Sequence, residues 1–424
     1  MKKTLLFLLT TCILSSILLY PTACMKDRIT HTYTMYIPVY KSLSSIRASI
    51  KSTTPVEVKS TGKIYLWGKY IFLNEREKGI HIIDNSNPSS PQIIAFLNIP
   101  GNENISIKDA TLFADSFGDL VTFDVRDPSH PVYKKSIWNI FPSRYSSYSA
   151  TLNPDSVLLL VDLIVKDTTV NYTYNPPVIF TVPNCLNCGI GVNMGVPTYA
   201  AASNVTNTGI AGSTSSFATV NDRLYTVDGF QMQIFNIQDP LDPSLANKVQ
   251  LNWNVETVFP FEDKLFLGTT NGVYAFDIKS SPDQPVSLGQ FAHARACDPV
   301  IVDNQYAFVT LTTGSSCGGA QDELDILNIS NDSQFSWNLV KTYPMFHPHG
   351  LAKDGKTLFI CDDTQGLKIY DASDVNNLKM IQQINLPKTY DVITTNGLAL
   401  VATTSGLYQF DYHDLSNIHH LSKL

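Results

Sequence analysis

The sequence is poor in charge and in catalytic signatures. Charged residues make up 16% of its 424 positions, and the formal net charge is −7. It has no basic run, so nothing recommends nucleic acid as a partner. No P-loop, HExxH or dinucleotide-binding glycine fingerprint occurs, and the usual announcements of those enzyme classes are missing. No apolar stretch of 18 residues follows the N-terminal region, so no mature membrane-spanning helix is expected. Convincing amphipathic helical periods are lacking too, which disfavours an α or α/β architecture. Disorder is excluded by the 44% of hydrophobic residues.

The N-terminus carries a different signal. Lys2 and Lys3 precede an apolar run that ends at Leu19, the pattern of a signal peptide. Its end, Pro21-Thr22-Ala23-Cys24, resembles a bacterial lipobox, with Pro21 where Leu is usual. The resemblance implies cleavage after residue 23 and a lipid on Cys24; the alternative is plain secretory cleavage nearby. Residues 24–58, polar and rich in Ser and Thr, read as a tether. Beyond Cys12 and Cys24 five cysteines remain, Cys185, Cys188, Cys297, Cys317 and Cys361. An exported location permits disulfides, and an odd number leaves at least one thiol over.

One unit recurs from residue 59 onward. KYIFLNEREKGIHIIDNSNPSSP, TLFADSFGDLVTFDVRDPSHP and KTLFICDDTQGLKIYDASD are three copies. Equivalent positions are Phe72, Phe113, Tyr225, Phe266, Phe308, Phe359 and Leu400. Most neighbours lie 41 or 42 residues apart, one pair 51, and a gap of 112 follows Phe113. Each copy reads as four short strands with Gly, Asn, Asp and Pro turns. The expected fold is therefore all-β: a β-propeller of seven four-stranded antiparallel blades, with eight as the alternative. Residues 59–424 would form this single propeller, interrupted by an insertion at about 140–216. Within the insertion, residues 148–182 suggest a long strand or hairpin, with the remnant of an eighth blade as the alternative, and the Gly/Ser/Thr/Asn-rich stretch from Asn184 to Ser216 a surface excursion.

IHIIDNSNPSSP, LVTFDVRDPSHP, IFNIQDPLDP and LKIYDASD share an aliphatic-x-aliphatic-Asp core with a short polar linker. They resemble the LVIVD repeat of bacterial surface propellers. With the lipobox-like start, the chain resembles LVIVD-repeat lipoproteins of the Bacteroidetes type, over residues 62–136 and 217–424. RACDPVIVD, CGGAQDELDILNIS and PHGLAKDGKTLFICD are similar to that family as well. The resemblance implies a cell-envelope, outer-membrane lipoprotein, exposed at the surface, and it names no activity. The Asp closing each third strand (Asp84, Asp124, Asp277, Asp371) is expected to form an Asx-turn rather than a Ca²⁺ loop.

In a four-stranded blade, the d-to-a and b-to-c connections share one face, here the upper face. Counting back from the a-to-b turns puts Glu103, Asp298, His349 and Asp391 at the start of inner strands, with Glu256 beside Thr257. With Arg295 these form the expected ligand-binding set at the channel mouth; the bland alternative is a polar channel bridged by water. No catalytic residue, metal site or cofactor is expected. Cys297 and Cys317 sit in two connections of one blade's upper face and are expected to form a disulfide, with Cys317–Cys361 as the rival. Cys185 and Cys188, a lone CxxC, read as a local disulfide. The expected function is a surface-anchored, monomeric binding or scaffold module for an extracellular protein or glycan. Its membrane contact would be the lipid. The alternative is an envelope hydrolase or lyase acting on carbohydrate at the upper mouth.

Overall fold

The computed structural model describes residues 28–141, 157–173, 209–292, 299–313, 321–329 and 337–424. The chain divides into two compact units, one of residues 1–40 and 162–191, the other of residues 41–161 and 192–424.

The smaller unit holds most of a two-stranded sheet, Arg28–Ser42 against Leu158–Thr173. Thr32 shares a hydroxyl hydrogen bond with Thr169 at 3.0 Å, and Thr34 donates to Asp167 at 2.8 Å. The long strand expected from residue 158 is present. It pairs with the region expected to be a tether, and that region is mostly regular structure from Arg28 to Thr53. In the larger unit, a helix of about two turns, Leu43–Ser49, follows, capped by Ser42 accepting from the Ser45 amide and burying Leu43 and Ile46. Lys51–Thr53 then adds a strand to the outer edge of the first sheet. Thr53, Ser52 and Lys51 complete the edge ladder of Phe96–Asn98, a use of backbone groups that composition alone does not reveal.

The larger unit is an all-β propeller. The hairpins close as their turn residues demand: Asn396 and Gly397, both at positive φ, make a two-residue turn between Thr395 and Leu398. The Asp ending each third strand is an Asx-turn. Asp84, Asp124, Asp371 and Asp411 accept from the amide two residues on at 2.8, 3.1, 2.9 and 2.9 Å. The recurring aromatic positions form the core. Phe72, Phe113, Tyr225, Phe266, Phe308, Phe359 and Leu400 are at most 1% exposed. Each contributes about 1.5–3 kcal/mol by leaving water. Second strands such as Thr357–Cys361 are buried throughout, because neighbouring sheets cover both faces, while outer strands such as Lys379–Ile384 remain largely exposed.

Six multi-stranded sheets are present among the described residues, not seven separate blades. Two repeat units share one sheet of six strands spanning residues 217–292. The reason is continuity. Arg223–Asn236 carries two repeat segments through Gly229, and Ser244–Phe261 runs from the outer strand of one unit into the inner strand of the next. Among the described residues no further blade arises around Leu158, whose strand forms the two-stranded sheet with Arg28–Ser42.

The inner segments contact one another in chain order, and Thr389–Thr395 returns to Thr61–Trp67. No strand among the described residues is shared at this seam. Ile64, Leu66, Leu73 and Ile83 of the first sheet pack instead on Ile393, Leu400, Ala402 and Leu407 of the last. The Thr61 hydroxyl donates to the Thr403 carbonyl at 2.6 Å across the same seam.

The end of the insertion is not a surface excursion. Residues 211–216 are buried, and their bonds reach around the channel. Ile210–Ala211 pairs with Tyr65 and Leu66, Ser215 O accepts from the Val258 amide at 2.8 Å, and Ser213 Oγ accepts from the Leu351 amide at 2.9 Å. Side chains are barred at its two glycines. A Cβ on Gly212 would stand 2.0 Å from Asp391 Oδ2, and one on Gly209 would stand 2.2 Å from the Leu66 carbonyl oxygen. The chain's own Gly/Ser-rich segment thus crosses between the inner strands of several sheets.

Candidate functional site

The upper face gathers its titratable side chains where the inner strand Leu351–Asp354 begins. His349 N donates to Cys361 O at 2.7 Å and Cys361 N to Gly350 O at 2.9 Å. This extends the a–b ladder by one step and sets His349 beside the residues after Thr357–Cys361. The preceding loop is held from below. Asp362, fully buried, accepts from the amides of His347 at 2.7 Å and Phe346 at 3.2 Å, and pairs with Lys368. Thr310 and Thr312 of the adjoining sheet donate to the His349 and Pro348 carbonyls.

His349 Nε2 then lies 3.2 Å from Asp363 Oδ2, and Lys388 Nζ lies 2.5 Å from the same oxygen. His347 Nδ1 lies 3.2 Å from Asp322 Oδ1, and the two imidazole rings stand edge to face at 5.3 Å. Tyr390 flanks His349 at 6.2 Å and carries the Arg76 guanidinium on its ring at 4.4 Å. Burial lowers the pKa of His349, against the opposing pull of Asp363. Burial alone would raise the Asp363 carboxyl, but hydrogen bonds from His349 and Lys388, with their charge, hold it well below the usual carboxylate range. The arrangement is a neutral-leaning imidazole, an ionised carboxylate and an ammonium in contact.

A second feature of this face lies between the two units of the long sheet. Phe230, Asn252, Trp253, Asn254, Glu256, Thr270 and Asn271 line a hollow of about 640 Å³. Trp253 stacks on Tyr274 at 3.8 Å with 9° between the planes, and Phe230 is 54% exposed. Trp253 Nε1 is buried without a hydrogen-bond partner among the described residues. Burial raises the Glu256 carboxyl to about 7. On the opposite face, a hollow of about 930 Å³ opens at the a-to-b turns, with Ile210, Phe259, Tyr306, Lys353 and Asn396 in its wall.

The expected mouth set therefore separates. His349 sits in the titratable cluster and Glu256 in the aromatic hollow. Glu103 is half-buried on the second sheet's connection, where its amide donates to Asp115 at 2.7 Å. Asp391 is fully buried against Gly212 rather than open at a mouth. Asp298 and Arg295 lie outside the described residues, as do Cys24, Cys185, Cys188, Cys297 and Cys317. Cys361 is buried and free. Sequence reasoning passed over Lys388 and Trp253, although both occupy d-to-a connections, and counting back from Asp391 and Glu256 would have reached them. Asp322 had no such signal, because its position follows from the path of the loop before Glu323–Asn328.

The chain carries LVIVD repeats. The family matches residues 59–97 and 111–138. No curated protein matches the chain. Among solved structures it is similar to the periplasmic gluconolactonase PpgL of Pseudomonas aeruginosa. That match has TM-score 0.53 and 11% identity, covering 86% of this chain and 95% of the other. A putative 6-phosphogluconolactonase of Bacteroides fragilis gives TM-score 0.51 at 10% identity, covering 88% and 97%. The designed protein Ika8 gives TM-score 0.51 at 7% identity, covering 88% and 89%. A designed chain among the neighbours illustrates that these likenesses concern the fold and not an activity.

Proposed function

We propose that the protein is an exported, lipid-anchored binding module of the Bacteroidetes LVIVD type, whose upper face takes extracellular glycan. Counted by repeat units, its ring has seven blades. The observation that carries the reading is the hollow around Trp253. An indole stacked on Tyr274, an exposed phenyl at Phe230, three asparagine amides and the Glu256 carboxyl converge there. Aromatic faces cover the apolar faces of sugar rings, and amides and carboxyls meet their hydroxyls, the mix expected of a small polar-ligand site.

Soluble polysaccharides of neutral and uronic type, titrated against the full chain, test the reading. Trp253→Ala is expected to weaken binding at least about tenfold, as loss of an aromatic anchor does. Undiminished binding by that variant, or no binding to any panel member, overturns it. Anchoring rests on Cys24: Cys24→Ala should move the protein from membrane to soluble fractions, and unchanged fractionation refutes the lipid.

The second reading, an envelope hydrolase or lyase on carbohydrate, is favoured by the contact between His349, Asp363 and Lys388. Turnover of the bound polysaccharide, abolished by Asp363→Asn, would establish it.

A further inference from the structure

We propose that His347, His349 and Asp363 form a binding site for a divalent transition-metal ion of the zinc class. One ligand-capable atom from each lies within 4.8 Å of the others. Two imidazoles and one carboxylate suit zinc, nickel or copper rather than calcium or magnesium, which prefer oxygen.

The distances fit. Ligands bonded at about 2.0–2.1 Å to a tetrahedral ion stand roughly 3.3 Å apart. His349 Nε2 and Asp363 Oδ2 are already 3.2 Å apart. An ion can replace their hydrogen bond without moving either residue, and only His347 must draw in. The frame is built beforehand. The His347 amide is fixed on buried Asp362, and the His349 carbonyl on Thr310. Asp322 lies against one ring nitrogen of His347 at 3.2 Å, the outer-shell carboxylate that metal-ligating histidines commonly carry.

A second observation points the same way. His349 is 4% exposed, and its Nδ1 has no partner among the described residues. The fold buries this imidazole with Asp363 as its one side-chain hydrogen-bond partner. An ion on Nε2 would give this buried ring a firmer anchor than its one contact with Asp363. Lys388 is the cation now on Asp363. Its ammonium sits on a flexible stem and can withdraw. The site is distinct from the Trp253 hollow, so either reading can fail alone.

The test uses the full chain, purified without a polyhistidine tag and stripped with chelator. Zn²⁺ affinity is read by competition with a chromophoric chelator, and Co²⁺ loading by its visible spectrum. One ion should bind per chain at micromolar or tighter Kd, with a tetrahedral Co²⁺ spectrum. His347→Ala, at a half-exposed position, and Asp363→Asn should each weaken Zn²⁺ at least about tenfold, within the range for lost metal support. Lys388→Met should tighten it by removing the competing cation, and His420→Ala, on an exposed strand, should leave it unchanged. No binding below 1 mM, or equal affinity in the native protein and His347→Ala, overturns the proposal. A Lys388→Met variant that binds more weakly than the native chain does so as well.

Discussion

Asn85 and Gln409 exchange two hydrogen bonds across the seam of the ring. Asn85 Nδ2 donates to Gln409 Oε1 at 2.9 Å, and Gln409 Nε2 donates back to Asn85 Oδ1 at 2.8 Å. They stand 324 residues apart in the chain, so the pair registers the first sheet against the last. Ser422 adds to the same seam by donating to the Pro88 carbonyl at 2.6 Å.

This pairing predicts coupling. Asn85→Ala and Gln409→Ala should each destabilise the protein, and the double variant should cost less than the sum, with about 0.5–1.5 kcal/mol of interaction energy. Urea denaturation of the four proteins measures it. Strict additivity would show that the two amides act independently.

The glycines of the channel segment should resist substitution. Gly212→Ala places a methyl on the Asp391 carboxylate, and Gly209→Ala places one on the Leu66 carbonyl. Each should lose about 1–3 kcal/mol, the cost of overpacking a filled core. A midpoint in urea equal to that of the native protein would mean that the segment shifts freely.

Asp391 gives a pH dependence with a definite sign. Burial pushes its carboxyl well above the ordinary value of 3.8, against the Val392 amide and the Lys63 charge. The folded chain therefore holds this proton more tightly than the unfolded chain. The associated stability is complete below pH 3.8 and drains away as pH rises through the folded value. Asp391→Asn removes the titration. Its thermal midpoint relative to the native protein should climb steadily as the pH is raised from 4 through neutrality. Parallel profiles for the two proteins would contradict this.

Cys361 should behave as a small apolar side chain. It is fully buried in the core cluster with Leu358, Ile360 and Leu367. A thiol reagent should label it only after unfolding, and Cys361→Ser should cost more stability than Cys361→Ala, because serine buries a hydroxyl. Rapid labelling in the native state would place the sulfur elsewhere.

The architecture was legible because its cause is local and repeated. An aromatic every 41 or so residues must be buried the same way each time, and each Asp after a third strand bonds an amide two residues on. Sheet count was less legible. Whether a strand stops or runs on, as at Gly229 and from Gln250 to Val255, depends on backbone continuity that composition does not mark. The upper face could be read as a surface but not as a site. His349 and Asp363 were separable into one cluster only once the ladder at Gly350 was known, and Asp391 looked like a mouth residue because the segment covering it lies far away in the sequence. That segment is compositionally a loop. Its Gly and Ser residues are small for packing as much as for turning.

The axial segment has a definite place in the order of the chain. The chain lays down two sheets, enters the axis at residues 209–216, and only then supplies the other four sheets. In chain order the axial segment precedes those four sheets, and Gln409, the seam partner of Asn85, lies in the last of them. A ring crossed at its axis by its own chain leaves the rims as the surfaces on which a partner can be met.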